Sequence, residues 1–146
     1  NEDGLLEDLQ GWVFVEWSIA NTKEYVCGVN YPSNMVYAEM LRVMAELYND
    51  GALLAQANAI REAVLKQSYT GTFFVDNATR ENGVLKRRDD HISETCQYYA
   101  LILGYCPDEA FARRMVEEFG PFRPENVWEN VGRSNILPGH YLPYFA

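Results

Sequence analysis

Residues 30–67 read NYPSNMVYAEMLRVMAELYNDGALLAQANAIREAVLKQ, and the punctuation of this run decides the fold. Asn30 suits a helix N-cap, and Pro32 falls in the first turn, where its missing N–H costs nothing. From Ser33 to Tyr48 the residues Val36, Met40, Val43, Met44 and Leu47 recur at helical spacing and are expected to form the buried stripe. Asn49-Asp50-Gly51 then stops the helix. A second helix is expected from about Ala52 to Gln67, with Leu53, Ala57, Ile60 and Val64 as its stripe and Arg61, Glu62 and Lys66 facing out. So short a connection makes the two helices antiparallel neighbours.

Downstream the unit repeats. A helix is expected over 93–103, ended by Gly104, and Pro107 with Asp108 and Glu109 opens another that Gly120 ends. Phe111, Met115, Val116 and Phe119 give the latter its apolar face. Between the hairpins, Thr72-Phe73-Phe74-Val75 reads as a strand and Asn82-Gly83 as a turn, with Val84-Leu85 pairing back. Upstream, residues 12–17 (WVFVEW) read as a strand or extended segment and 18–30 as a loop. Residues 121–146 carry Pro121, Pro124, Pro138 and Pro143 among aromatics, too many of the latter for a disordered tail. The expected class is mainly α: antiparallel helical hairpins with a small β-hairpin insertion at 70–87, in one domain over 1–146.

Composition bounds the function. With 146 residues, 48% hydrophobic and 23% charged, the chain has the make-up of one globular domain, and disorder is excluded. No apolar run approaches the roughly 20 residues that span a bilayer, and no leader pattern opens the sequence. A start at Asn1 in place of Met is what an excerpt or a processed product would have. A net charge of −9 repels phosphate backbones and anionic membrane surfaces, so neither nucleic acid nor membrane is expected as partner. Cys27, Cys96 and Cys106 fit no disulfide or zinc spacing and are expected to be buried free thiols. No phosphate loop or nucleophile elbow occurs, and nothing calls for a cofactor or a metal.

The chemistry-bearing positions are few. Ser93-Glu94-Thr95-Cys96-Gln97-Tyr98-Tyr99-Ala100 opens a helix that continues as Leu101-Ile102-Leu103. Such an apolar helix is a buried one, so its polar first turn must meet water, a ligand or buried partners. Either this is a capped helix with Ser93 as N-cap, or Glu94, Gln97 and Tyr98 floor a polar cleft. Trp12, Glu16 and Trp17 form a second group, in which an indole covers a sugar face while the acid binds hydroxyls; a solvent-facing edge strand is the plain alternative. Asn30, Tyr31 and Asn34 open the first long helix in the same polar-to-apolar way. Asp89-Asp90-His91 reads as a solvated charge run, His140 as a turn histidine, and Trp128-Glu129 as a second tryptophan–acid pair.

The segments GWVFVEWS (11–18), VNYPSNMVYA (29–38) and SETCQYYAL (93–101), in this order and spacing, resemble the catalytic domain of bacterial α-L-rhamnosidase-like six-hairpin glycosidases, across roughly residues 11–140. The resemblance implies an (α/α)6 toroid, with 32–48 and 93–103 as inner helices, 52–67 and 107–119 as outer ones, and a cleft at the loops that open the inner helices. It assigns substrate binding to Glu16, Trp17, Asn30, Tyr31, Glu94, Gln97 and Tyr98, although the family's usual residue at Glu16 is Asp. The family's acid motif is absent upstream, and Trp128-Glu129 comes too soon to stand for its downstream base. Inverting hydrolysis needs an acid and a base carboxylate roughly 6.5–9.5 Å apart, so no catalytic residue is secured. The chain is therefore expected to be a partial domain, inactive alone, of a bacterial parent in cytoplasm or periplasm that removes a terminal rhamnose-like sugar. Its partners would be carbohydrate and, through exposed apolar helix faces, a second copy of itself in a homodimer. The competing expectation is a non-catalytic helical carbohydrate-binding or protein-interaction domain.

Overall fold

The computed structural model describes residues 1–15, 18–119 and 131–132. An N-terminal strap leads through a 3-10 turn at Ile19–Asn21 and a short helix α1 (Lys23–Val26) to strand β1 (Val29–Asn30). The first long hairpin follows as α2 (Tyr31–Tyr48) and α3 (Gly51–Ser68). Strands β2 (Asn77–Glu81) and β3 (Val84–Arg87) precede β4 (Ile92–Ser93), and the second hairpin is α4 (Glu94–Ile102) and α5 (Glu109–Phe119). β1, β2 and β3 form an antiparallel sheet with β2 central, and β4 pairs in parallel with β5 (Val131–Gly132). The chain is thus mainly helical with a small three-stranded sheet. Among the described residues no helix is long and apolar enough to cross a membrane.

The first hairpin is capped as its sequence requires. Asn30 Oδ1 accepts from Ser33 N at 3.0 Å, Asn49 closes α2 in the left-handed region, and Asp50 Oδ1 accepts from Ala52 N at 2.8 Å and Leu53 N at 3.2 Å. Burial along α2 differs from the expected stripe. The face turned inward carries Tyr31, Asn34, Met35, Ala38, Leu41 and Ala45, whereas Val36, Met40, Val43 and Leu47 are exposed. The reason is that α2 is apolar on two opposite sides. The buried side carries the small residues Ala38 and Ala45, which a pattern weighted by large aliphatics passes over. On α3, Ala57, Ile60 and Val64 are buried and Leu53 half-buried, as expected.

Arg61 is not a solvent-facing residue. Its guanidinium donates to the carbonyls of Leu103 at 2.8 Å and Gly104 at 2.9 Å and lies 4.2 Å from the centre of the Tyr105 ring. A cation thereby meets the negative end of α4 and ties the two hairpins together.

The β-hairpin is displaced from its expected register. Asn82-Gly83 do form the two-residue turn, both with positive φ, but Glu81 pairs with Val84 and Ala78 with Arg87. Thr72–Val75 stays out of this ladder, apart from a bridge between Phe74 and Tyr69. Its backbone is satisfied by a side chain instead: Gln97 Oε1 accepts from Phe74 N at 2.9 Å, and Gln97 Nε2 donates to Phe74 O at 2.8 Å. Residues 12–15 likewise form no strand, and 16–17 lie outside the described residues. The expected loop at 18–30 contains the 3-10 turn, α1 and β1. Helix α5 starts at Glu109 and not at Pro107, because Asp108 is its cap: Asp108 Oδ1 accepts from Phe111 N at 2.6 Å. All three cysteines are free, but only Cys96 is buried; Cys27 is half-buried and Cys106 exposed.

Gly28 joins the strap to the sheet under a strict constraint. Its φ is +67°, and a Cβ there would sit 2.2 Å from the carbonyl oxygen of Ala78. Asp8 N donates to Gly28 O at 2.8 Å, so the backbone cannot swing away without losing the strap. Gly28→Ala is expected to destabilise the protein by at least about 2 kcal/mol, read as a lowered urea midpoint. An unchanged midpoint would contradict this account.

Candidate functional site

One end of the molecule gathers the N-termini of α2 and α4 together with buried polar groups. Asp76 lies between the helices. Its carbonyl accepts from Tyr31 N, at the start of α2, at 2.8 Å. Its carboxylate takes both donors of Ser93, at the start of α4: N to Oδ2 at 2.6 Å and Oγ to Oδ1 at 2.6 Å. α2 and α4, which pack on each other, therefore begin side by side and run in the same direction. Ser93 Oγ in turn accepts from Cys96 N at 3.0 Å as the N-cap of α4. α3 returns to this end, where Ser68 Oγ donates to Val75 O at 2.7 Å, and α5 returns alongside, where Arg114 donates to Thr72 O at 2.6 Å.

The strap crosses this end. Asn34 accepts from Leu6 N at 2.8 Å and donates to Leu6 O at 3.0 Å and to Asn30 O at 2.8 Å. Tyr99 Oη donates to Val15 O at 3.0 Å, and Ser18 Oγ lies 3.3 Å from Thr95 Oγ1. An apolar groove of about 230 Å3 opens beside this crossing, between Phe14, Val15, Pro32, Val36 and Tyr99.

Five of the seven expected binding residues fall in this region, and all five are buried. Asn30 caps α2 and donates to Tyr25 O at 3.0 Å. Tyr31 Oη donates to Gln67 Oε1 at 3.3 Å, and burial holds its hydroxyl well above the ordinary tyrosine pKa. Gln97 bridges the Phe74 backbone and also donates to Ser93 O at 2.9 Å. Glu94 accepts a short hydrogen bond from Tyr98 Oη, one helical turn on. The polar first turn of α4 thus meets buried partners, and among the five only the Glu94–Tyr98 pair combines a carboxylate with a hydroxyl. Glu16, Trp17, His140 and the Trp128-Glu129 pair lie outside the described residues.

Asp76 and His91 carry chemistry that the sequence did not single out. Asp76 is fully buried, and desolvation pushes its carboxyl up to about 7, against the pull of its two hydrogen bonds from Ser93. His91 is not part of a solvated run. Asp89 pairs with Arg87 and Asp90 with Arg88 at 3.2 Å, but the His91 ring stacks on Tyr25 with centroids 4.5 Å apart. Asn77 Nδ2 donates to Glu24 O at 2.8 Å and Cys27 O at 3.0 Å, so Asn77 Oδ1 must accept, and His91 Nδ1, 2.8 Å away, carries the proton. Desolvation lowers the His91 pKa, which keeps the ring neutral. The available signal for Asp76 was an acid directly after the buried run Phe73-Phe74-Val75, where an unpartnered carboxylate would be costly.

Among the described residues no group of three or more His, Cys, Asp or Glu side chains is placed to hold a metal ion. Comparison with protein-family models, curated proteins and solved structures finds no match to this chain.

The Asp76 pKa gives a testable pH dependence. An unfolded aspartate loses its proton near pH 3.8, whereas the folded one holds it to about 7. A raised acid pKa contributes stability that is present below the unfolded value and is lost as pH rises to the folded value. The stability of the wild type relative to Asp76→Asn should therefore fall between pH 5 and 7 by roughly 2–3 kcal/mol, measured by urea unfolding at each pH. A constant difference would show that Asp76 is ionised in the folded protein across this range.

Proposed function

We propose that this chain is a sector of a six-hairpin glycoside hydrolase whose parent removes a terminal rhamnose-like deoxyhexose by the inverting, two-carboxylate route. The observation that carries the reading is the Asp76–Ser93 connection. It sets the starts of α2 and α4 side by side, each helix being followed by one that returns, and this supports a reading as consecutive sectors of a helical toroid. The rim of the sugar cleft would then be the end where α2 and α4 begin. Glu94 with Tyr98 is the pair there suited to sugar hydroxyls, while Asn30 and Gln97 position the backbone beneath. The loop carrying Glu16 and Trp17 would complete the rim.

The sector by itself is expected to be inactive. Of the two buried carboxylates at this end, Asp76 is 0% exposed with both oxygens held by Ser93, and Glu94 is 1% exposed. Neither can deliver a proton to a glycosidic oxygen while the other activates a water on the opposite ring face. The test begins with the reading frame on both sides of residues 1 and 146. It should encode further hairpins and an acidic motif on each side. The extended polypeptide should hydrolyse p-nitrophenyl α-L-rhamnoside, falling about tenfold or more on Glu94→Gln, and the 146-residue chain should not. Stop codons directly flanking the chain, an inactive extended polypeptide, or turnover by the chain alone would each overturn the reading.

The outer side of α2 supports association with a second copy. Val36, Met40, Val43 and Leu47 follow one another at steps of four, three and four residues, the spacing of a coiled-coil seam, about 16 Å long at 1.5 Å per residue. Leu47 is 75% exposed, and Phe14 extends the seam at its N-terminal end across the apolar groove. A seam of this kind is self-complementary about a two-fold axis. Its acidic flank is neutralised within the helix, since Arg42 bonds Glu39 at 2.7 Å and Glu46 at 2.5 Å. Sedimentation should report a dimer, and Val43→Glu should give a monomer with unchanged helicity. A monomeric wild type would remove the second-copy reading.

A further inference from the structure

An open cleft of about 420 Å3 lies between the N-terminal strap and the segment leading into β1. The strap wall contains Asp8, Gln10 and Trp12, and the opposite wall contains Asn21 and Lys23. The size falls in the lower part of the range for small-molecule sites, roughly 300–1,000 Å3.

Both walls are built in. Asp8 holds φ +50°, its N–H bonds Gly28 O, and its Oδ1 accepts from Gly28 N at 3.2 Å. On the opposite wall, Asn21 Oδ1 accepts from Val15 N at 3.0 Å, which fixes that side chain across the strap. Polar groups are left over on residues that line the cleft. Among the described residues, Asp8 Oδ2, the Asn21 amide N–H groups, the Lys23 ammonium and the Trp12 indole N–H have no hydrogen-bond partner in the chain. Trp12 is 78% exposed, braced at one side by Phe14 at 5.5 Å between centroids.

We propose that this cleft is a saccharide subsite in which a pyranose stacks its C–H face on Trp12 and directs hydroxyls to Asp8, Asn21 and Lys23. A flat apolar surface ringed by unused donors and acceptors of both signs matches a sugar, whose faces are apolar and whose rim is polar on all sides. A nucleotide fits less well, because one lysine on a chain of net charge −9 gives its phosphates little attraction. The choice of sugar rests on the glycoside reading above, whereas the cleft and its unused polar groups stand without it.

The test is an NMR titration of the 146-residue chain with methyl α-L-rhamnopyranoside and with methyl β-D-glucopyranoside, following the indole N–H resonance that disappears in Trp12→Ala. At least one glycoside is expected to shift that resonance saturably. Followed instead through the backbone amides of Asp8, Asn21 and Lys23, Trp12→Ala and Lys23→Gln, both on the surface, should each raise Kd fivefold or more with unchanged melting. No shift with either glycoside, or an affinity that Trp12→Ala leaves unaltered, overturns the subsite. Trp12-dependent binding alongside an inactive extended polypeptide keeps the subsite and removes the hydrolase reading. Rhamnoside turnover by the extended polypeptide, with no response at Trp12, does the reverse.

Discussion

The contact between Asp76 and Ser93 is the constraint on which the arrangement of the helices depends. A fully buried acid is tolerable only if its oxygens find strong donors, and Ser93 supplies two of them from one residue. The same serine caps α4 by accepting from Cys96 N, so the acid fixes where the helix starts as well as where it lies. The Asp76 carbonyl meanwhile receives the first N–H of α2. One residue in the link between two hairpins therefore sets both the level and the direction of the helices on either side. A carboxyl that keeps its proton to about 7 suits this position, because it carries little charge into a site closed to water.

Gln97 solves the adjoining problem. Phe73, Phe74 and Val75 are consecutive and all buried, which a two-sided strand could accommodate only between two layers. Among the described residues no strand lies beside them apart from the single bridge to Tyr69, so the Phe74 N–H and carbonyl need another partner. The amide of Gln97 presents an acceptor and a donor in the geometry of a peptide unit and takes both. Its remaining N–H closes onto Ser93 O within its own helix. A residue whose sequence position suggested a ligand-facing cleft is in fact a substitute strand.

What the sequence made legible follows from the range of each interaction. Caps and turns are local, so the Asn30 and Ser93 caps, the stop at Asn49-Asp50-Gly51 and the Asn82-Gly83 turn could be read directly, and with them two helical hairpins and the insertion between them. Which side of α2 is buried could not be read from periodicity, because both sides are apolar and the buried one is marked by the small Ala38 and Ala45 as much as by large side chains. Arg61 and His91 have partners that escape a sequence reading for a related reason. Each is an ordinary surface residue type whose partners, the carbonyls of Leu103 and Gly104 and the Tyr25–Asn77 pair, are distant in sequence. The candidate site was legible as a place, the polar openings of α2 and α4, but not in its inner assignment of roles. A polar side chain at a helix start can face a ligand or hold up the backbone, and only the three-dimensional partners decide.

On the glycoside reading, that ambiguity bears on how a helical rim would serve a sugar. Polar groups held rigidly at helix starts are useful for recognition only if their own orientation is already settled, since a side chain that must be ordered on binding loses affinity to entropy. Asn30, Asn34 and Gln97 have no such freedom, because each bonds backbone on two or more sides. Their effect is to fix Tyr31, Glu94 and Tyr98, which stand on the same turns. A rim built in this way separates two tasks along one helix start: amides that brace the chain, and an acid with its hydroxyl partner whose position is inherited from them. The exposed Trp12, held on a strap that Asn34 and Gly28 anchor to the same scaffold, extends the division outward, with rigidity drawn from the helices and contact area from the aromatic ring.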